Sequence, residues 1–175
     1  MTAVILTADE FEDMEVFYPY YRLLEEGAQV HVAAPGKGVI SGEHGYQLKV
    51  EKTFEEVDPK DYDLLILPGG TPKGAPTTVR NSPKARSVAK AFFEADKPVG
   101  AICHGPYTLI SAGVIKGRHA TSFWGDKVPD EIKQAGGIYE DREVVVDGNL
   151  VTSRYPGDLP AFMREVMKMV RKAGK

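Results

Sequence analysis

The chain has 175 residues, 42% hydrophobic and 27% charged, with 22 basic against 25 acidic side chains and a formal charge of −3. That length suits one domain, residues 1–175, and the composition excludes a disordered or coiled-coil chain. The charge balance offers no basic stripe for a nucleic-acid backbone. Apolar runs such as Leu64 to Leu67 are far shorter than the roughly 20 residues of a membrane helix. Met1-Thr2 leads straight into AVILTA with no basic leader segment, so the expectation is a cytoplasmic protein with neither nucleic acid nor membrane as partner.

In chain order, Ala3–Ala8 is a short, nearly continuous apolar run, the pattern of a strand covered on both faces. Between Glu12 and Gly27, Val16, Phe17, Tyr20, Leu23 and Leu24 recur at intervals of three and four, which predicts a helix stopped by Gly27. Val30–Ala34 reads as the next strand. Gly36 to Gly45 is glycine-rich and precedes the strand-like Tyr46–Glu51, which predicts a small antiparallel excursion. Leu64–Leu67 is again strand-like and ends in Pro68-Gly69-Gly70. Ser82-Pro83 sets a capping side chain before a proline at the first helical position, predicting a helix through about Phe93. Val99–Ile102 is a strand running into a helix that carries Leu109 and Ile110. Pro129, Asp130 and Glu131 open a shorter helix ending near Gly136. Val144–Val146, the turn Asp147-Gly148 and Leu150–Ser153 read as a β-hairpin. The last helix starts near Asp158 with Phe162, Val166, Met169 and Val170 facing inward. Strands alternating with helices predict an α/β sandwich with a mostly parallel sheet and a small antiparallel hairpin.

Cys103 is the only cysteine, which excludes an internal disulfide and a multi-cysteine zinc site; no metal and no cofactor are expected. It ends a strand, and the turn-forming His104-Gly105-Pro106 leads into a helix, the arrangement of a nucleophile elbow, with Ala101 and Gly105 where a tight turn needs small side chains. The following helix and nearby backbone N–H groups should hold its thiol below the ~8.5 of free cysteine. His104 is a candidate general base or a wall of the same crevice. The first strand ends in the acidic cluster Asp9-Glu10-Phe11-Glu12-Asp13, which either serves a helix dipole or places a carboxyl beside Cys103. Gly69 and Gly70, with the N–H of His104, are candidate oxyanion donors.

TADEFED at 7–13, PYYRLLEEG at 19–27, HGYQLKV at 44–50, LILPGG at 65–70, AICHGP at 101–106, LISAGV at 109–114 and EVVVDGNLVTSR at 143–154 together resemble the ThiJ/PfpI family of intracellular cysteine enzymes. The resemblance implies a flavodoxin-like three-layer sandwich with Cys103 as nucleophile. It also implies that Glu12 is a protonated carboxyl hydrogen-bonded to the sulfur, Gly69 and Gly70 form the oxyanion segment, and His104 is the histidine after the cysteine. A homo-dimer or hexamer with the site near a subunit interface is implied as well.

Two departures from the family pattern stand out. Peptidase-like members complete a triad with a neighbouring subunit's glutamate shortly after PGG, whereas Leu64–Phe93 here contains no Asp or Glu. Thr121-Ser122-Phe123-Trp124 replaces the Thr-Ser-Tyr-Pro of close members. The expected activity is therefore cysteine-dependent chemistry on small reactive aldehydes, of the glyoxalase or deglycase type that turns methylglyoxal into lactate in stress protection. The alternatives are an intracellular cysteine peptidase acting on peptides, and a non-enzymatic redox sensor or stress chaperone.

Overall fold

A computed structural model describes residues 1–174; Lys175, the last residue of the expected domain, lies outside the described residues. The chain runs β1 (Thr2–Leu6), α1 (Asp13–Glu25), β2 (Gln29–Ala34), β3 (Gly38–Ser41), β4 (Gln47–Val50), β5 (Lys52–Thr53), β6 (Leu64–Leu67), α2 (Ala75–Asn81), α3 (Pro83–Glu94), β7 (Val99–Ile102), α4 (Pro106–Ser111), β8 (His119–Ala120), α5 (Val128–Gln134), β9 (Ile138–Tyr139), β10 (Val144–Asp147), β11 (Leu150–Ser153) and α6 (Leu159–Ala173). Seven strands form one sheet in the order β10-β11-β7-β6-β1-β2-β5. Every neighbouring pair is parallel except β10–β11, which is the expected hairpin. β3 and β4 pair antiparallel as a separate ribbon, the expected glycine-led excursion.

Helices cover both faces, and that explains why the strands read as apolar runs rather than alternations. Ala3 and Ile5 of β1 and Leu64 and Ile66 of β6 pack with Val16 and Leu23 of α1 and Phe162 and Val166 of α6. The intervening Val4, Leu6, Leu65 and Leu67 pack with Val88 and Phe92 of α3, Leu109 of α4 and Ile132 of α5. Each fully buried large side chain contributes about 1.5–3 kcal/mol of apolar transfer. In the middle of β7, a Cβ on Gly100 would stand 2.8 Å from the Phe162 ring, so the glycine lets α6 lie close on the sheet.

Some details differ from the sequence reading. Leu24, expected on the inner face of α1, is exposed, and the buried positions of that helix include the acids Asp13 and Glu15. In α6 the buried stripe is Leu159, Phe162, Met163, Val166 and Met167; Met169 and Val170 lie at its edge and are half-buried. α2 and the two-residue parallel pair β8–β9 were not foreseen. What positions the site is the sheet order: β1, β6 and β7 are consecutive, so the loops after Leu6, Leu67 and Ile102 meet at one carboxyl edge, where open α/β sheets place their ligands.

Candidate active site

Cys103 follows β7 with φ +61°, a conformation that costs a non-glycine residue about 1–3 kcal/mol and persists only when its surroundings impose it. They do so from two sides. Its N–H donates to Ser153 O of β11 at 3.1 Å, and its carbonyl accepts the Phe123 N–H at 3.0 Å. Gly105 completes the turn, because a Cβ there would stand 2.0 Å from the carbonyl oxygen of Leu67. The elbow anticipated from Ala101 and Gly105 is thus present as geometry.

His104 is buried. Its Nδ1 lies 3.2 Å from Cys103 Sγ and its Nε2 lies 3.2 Å from Asp126 Oδ2. Burial lowers the imidazole pKa below its ordinary value, and the Asp126 carboxylate pulls it part of the way back. A neutral ring results near pH 7. Because a carboxylate can only accept, Nε2 carries the proton and Nδ1 offers its lone pair to the thiol. The ring is flanked by Tyr107 and Phe123, with centroids at 5.7 and 5.2 Å. The Tyr107 phenol is pushed up to about 12 by burial and by Asp126 and Glu131, so it stays neutral.

Asp126 was missed in the sequence. It is the only acid between His104 and Asp130, a signal available in the letters but meaningful only once the loop after β8 is known to fold over the elbow.

The acid at the sulfur is Glu15, and this corrects the expectation for Glu12. Glu15 sits inside the first turn of α1, fully buried; its Oε2 accepts the Gly69 N–H at 2.7 Å, and a Cβ on Gly69 would meet both Glu15 Oε2, at 2.6 Å, and Cys103 Sγ, at 3.0 Å, which places the carboxyl beside the sulfur. Burial drives this carboxyl well above its ordinary range, and the charge of Glu12 adds to the effect. Glu12 instead caps α1, its Oε2 accepting the Glu15 N–H at 2.8 Å. The two acids differ by three residues, but the cap position faces back along the helix axis while the position one turn later faces the sheet.

Two further expectations change. Burial pushes the Cys103 thiol well above its ordinary value, and the His104 N–H only partly opposes it. The helix expected to favour a thiolate, α4, spans six residues and starts at Pro106. Of the oxyanion candidates, the Gly69 N–H is already committed to Glu15. Among the backbone hydrogen bonds of the described residues neither the Gly70 nor the His104 N–H donates to a carbonyl, and Gly70 lies at φ +155°, where a Cβ would stand 2.2 Å from Glu10 O. Phe123 walls the site, and the exposed Trp124 meets Tyr155 edge-on at 5.2 Å.

Compared with known proteins, residues 1–169 match the model of the DJ-1/PfpI family. The chain is 53% identical over 171 residues to deglycase PfpI of Pyrococcus furiosus, covering 98% of this chain and 100% of that protein. It is 39% identical over 168 residues to a Bacillus subtilis protein named "Putative cysteine protease YraA", covering 95% of this chain and 96% of the relative. The solved structure of Schizosaccharomyces pombe DJ-1 superposes with a TM-score of 0.87 over 97% of this chain and 92% of that one, at 22% identity, a likeness of fold.

Proposed function

This chain belongs to the DJ-1/PfpI family, and on that premise we propose that it is a cysteine-dependent enzyme of small reactive aldehydes, of the glyoxalase or deglycase type, working as one domain. The observation that carries the reading is the line Cys103–His104–Asp126, with both contacts at 3.2 Å. At rest the thiol is protonated and the imidazole neutral, so the nucleophile is made at the moment of attack. The sulfur adds to the aldehyde carbon of methylglyoxal as its proton passes to Nδ1. The new oxyanion faces the N–H groups of Gly70 and His104 and takes up the proton, giving a hemithioacetal. His104 then removes the hydrogen on that carbon and returns it to the adjacent carbon, which converts the adduct to a thioester of lactate. Water cleaves the thioester and restores the thiol. Asp126 holds the ring and stabilises its charged form between these steps. Protonated Glu15 donates to the sulfur while it carries charge.

The same Asp126 favours a second reading. A cysteine peptidase needs an acid to orient its histidine, and Asp126 supplies one within the chain, so the acid-free window Leu64–Phe93 does not count against peptide cleavage. One preparation assayed for lactate from methylglyoxal and for fluorogenic peptide cleavage separates the two. Lactate formation that is lost in Cys103→Ala supports the aldehyde reading; Cys103-dependent peptide cleavage with no lactate overturns it.

We place the enzyme in the cytoplasm, where a lone thiol stays reduced. A homo-dimer or hexamer is supported by the outer face of α1, where exposed Met14 and Tyr21 surround Phe17 and Tyr46, the kind of aromatic surface that interfaces favour. No helix among the described residues is long and apolar enough to cross a membrane.

A further inference from the structure

A second group of ionisable side chains stands beside the first turn of α1, outside the Cys103–His104–Asp126 line. Glu12 comes from that turn, and Glu43 and His44 come from the loop between β3 and β4, 31 and 32 residues further on. The loop is fixed against the helix. Asp13 accepts the His44 N–H through Oδ2 and the Tyr46 N–H through Oδ1, both at 2.9 Å, and the Glu43 N–H donates to Phe11 O at 2.8 Å. Gly42 has to be glycine, since a Cβ there would overlap the Asp13 carboxylate at 2.4 Å. Glu43 and His44 are therefore held over Glu12 by backbone contacts that their own side chains do not make.

The spacing within the group is informative. His44 Nε2 lies 3.5 Å from Glu12 Oε1 and 3.6 Å from Glu43 Oε1, and the ligand atoms all fall within 4.8 Å of one another. Charge-assisted hydrogen bonds would close to about 2.7–2.9 Å. Atoms sharing a tetrahedral ion at metal–ligand distances of about 2.1 Å stand roughly 3.4 Å apart. The two separations from His44, 3.5 and 3.6 Å, match the second geometry.

The charge around the group points the same way. Among the described residues no lysine or arginine pairs with Glu12 or Glu43. One turn along α1, Glu15 is fully buried and keeps Oε1 without a hydrogen-bond partner, its N–H donates to Glu12 Oε2, and the charge that acts most strongly on its carboxyl is that of Glu12.

We propose that Glu12, Glu43 and His44 form a binding site for a divalent transition-metal cation of the zinc type, with the fourth coordination position open. One imidazole with two carboxylates selects such an ion over magnesium or calcium, which take oxygen ligands. Spacing along the chain does not reveal it, because the ligands come from two separated segments and include no cysteine.

The site is separable from the nucleophile, and that makes the test clean. Chelator-treated protein is titrated with Zn2+ by calorimetry, with Co2+ absorption as a second readout and melting temperature with and without Zn2+ as a third. The expected result is one equivalent of Zn2+ per chain, a Co2+ spectrum without thiolate charge-transfer bands, and a rise in melting temperature on Zn2+ addition. Cys103→Ala should bind as the parent does. His44→Ala and Glu43→Gln should each weaken binding by at least about tenfold and lose most of the melting-temperature rise. His44 is largely exposed, so its replacement leaves the fold standing, and circular dichroism checks this. No saturable Zn2+ binding, binding lost in Cys103→Ala, or binding unchanged in His44→Ala would each overturn the site. None of these outcomes bears on methylglyoxal turnover, so the site and the proposed activity fail independently.

Discussion

Nε2 of His104 stands 3.2 Å from Oδ2 of Asp126, and Nδ1 on the opposite side of the same ring stands 3.2 Å from the Cys103 sulfur. A single imidazole thus joins the thiol to a carboxylate within one chain. In the proposed reaction this arrangement replaces a standing thiolate with a proton that moves when substrate arrives.

Asp126→Asn keeps the shape and removes the charge. With the negative charge gone, the imidazolium that forms when His104 takes the proton loses its counter-charge, and turnover should fall by roughly a hundredfold. The pH profile should move as well. The proposed reaction requires neutral His104, so activity should be lost as pH falls through the histidine pKa, which burial already sets below 6.5. Asp126 raises that pKa, so its removal should shift the acid limb of kcat/KM to still lower pH. An unshifted limb with full activity would show that Asp126 does not act on the ring.

At Glu15 the contact to test is the one to sulfur. Glu15→Gln retains a hydrogen-bond donor and Glu15→Leu does not, so alkylation of Cys103 by iodoacetamide between pH 6 and 9 should slow more in the leucine variant. Glu12→Ala should show its effect mainly as a loss of about 1 kcal/mol in unfolding free energy, because it removes a helix cap. If Glu12→Ala displaced the alkylation profile as far as Glu15→Leu, the sulfur contact would have been assigned to the wrong acid.

Gly105→Ala should cost about 1–3 kcal/mol or prevent folding, since its Cβ meets the Leu67 carbonyl oxygen at 2.0 Å and neither backbone can give way. Gly36→Ala, which places its Cβ in open space, is the control and should change the melting temperature little. Equal stability of the two variants in urea would mean that the elbow relaxes without strain.

The strands were legible because burial on both faces leaves short unbroken apolar runs, and β6, β7 and β11 have the bounds that those runs predict. The cysteine elbow was legible from small residues at fixed offsets. Glu15 was not, because Glu12 and Glu15 belong to one acidic stretch, and only the helix start, which lies between them, decides which one faces the sheet. Asp126 lay beyond local pattern for a different reason: its partner is 22 residues away and meets it through a loop whose path depends on Phe123 hydrogen-bonding the elbow. α2 escaped notice because seven residues, APTTVRN, carry too few apolar positions to establish a period.

The hydrogen bond from Cys103 N–H to Ser153 O ties the cysteine to a strand that the ribosome makes fifty residues later. β7 has β11 as its neighbour on one side, so until Leu150–Ser153 has emerged the elbow lacks one of the two contacts that impose its left-handed backbone. A nascent chain therefore carries Cys103, His104, Glu15 and Asp126 in full yet remains chemically ordinary through most of its synthesis. Stalled chains ending before Leu150 should alkylate at the rate of an unfolded cysteine peptide, and release of the complete chain should switch that rate to the slower, pH-shifted one of the buried thiol; identical rates in both would show that the elbow forms without β11.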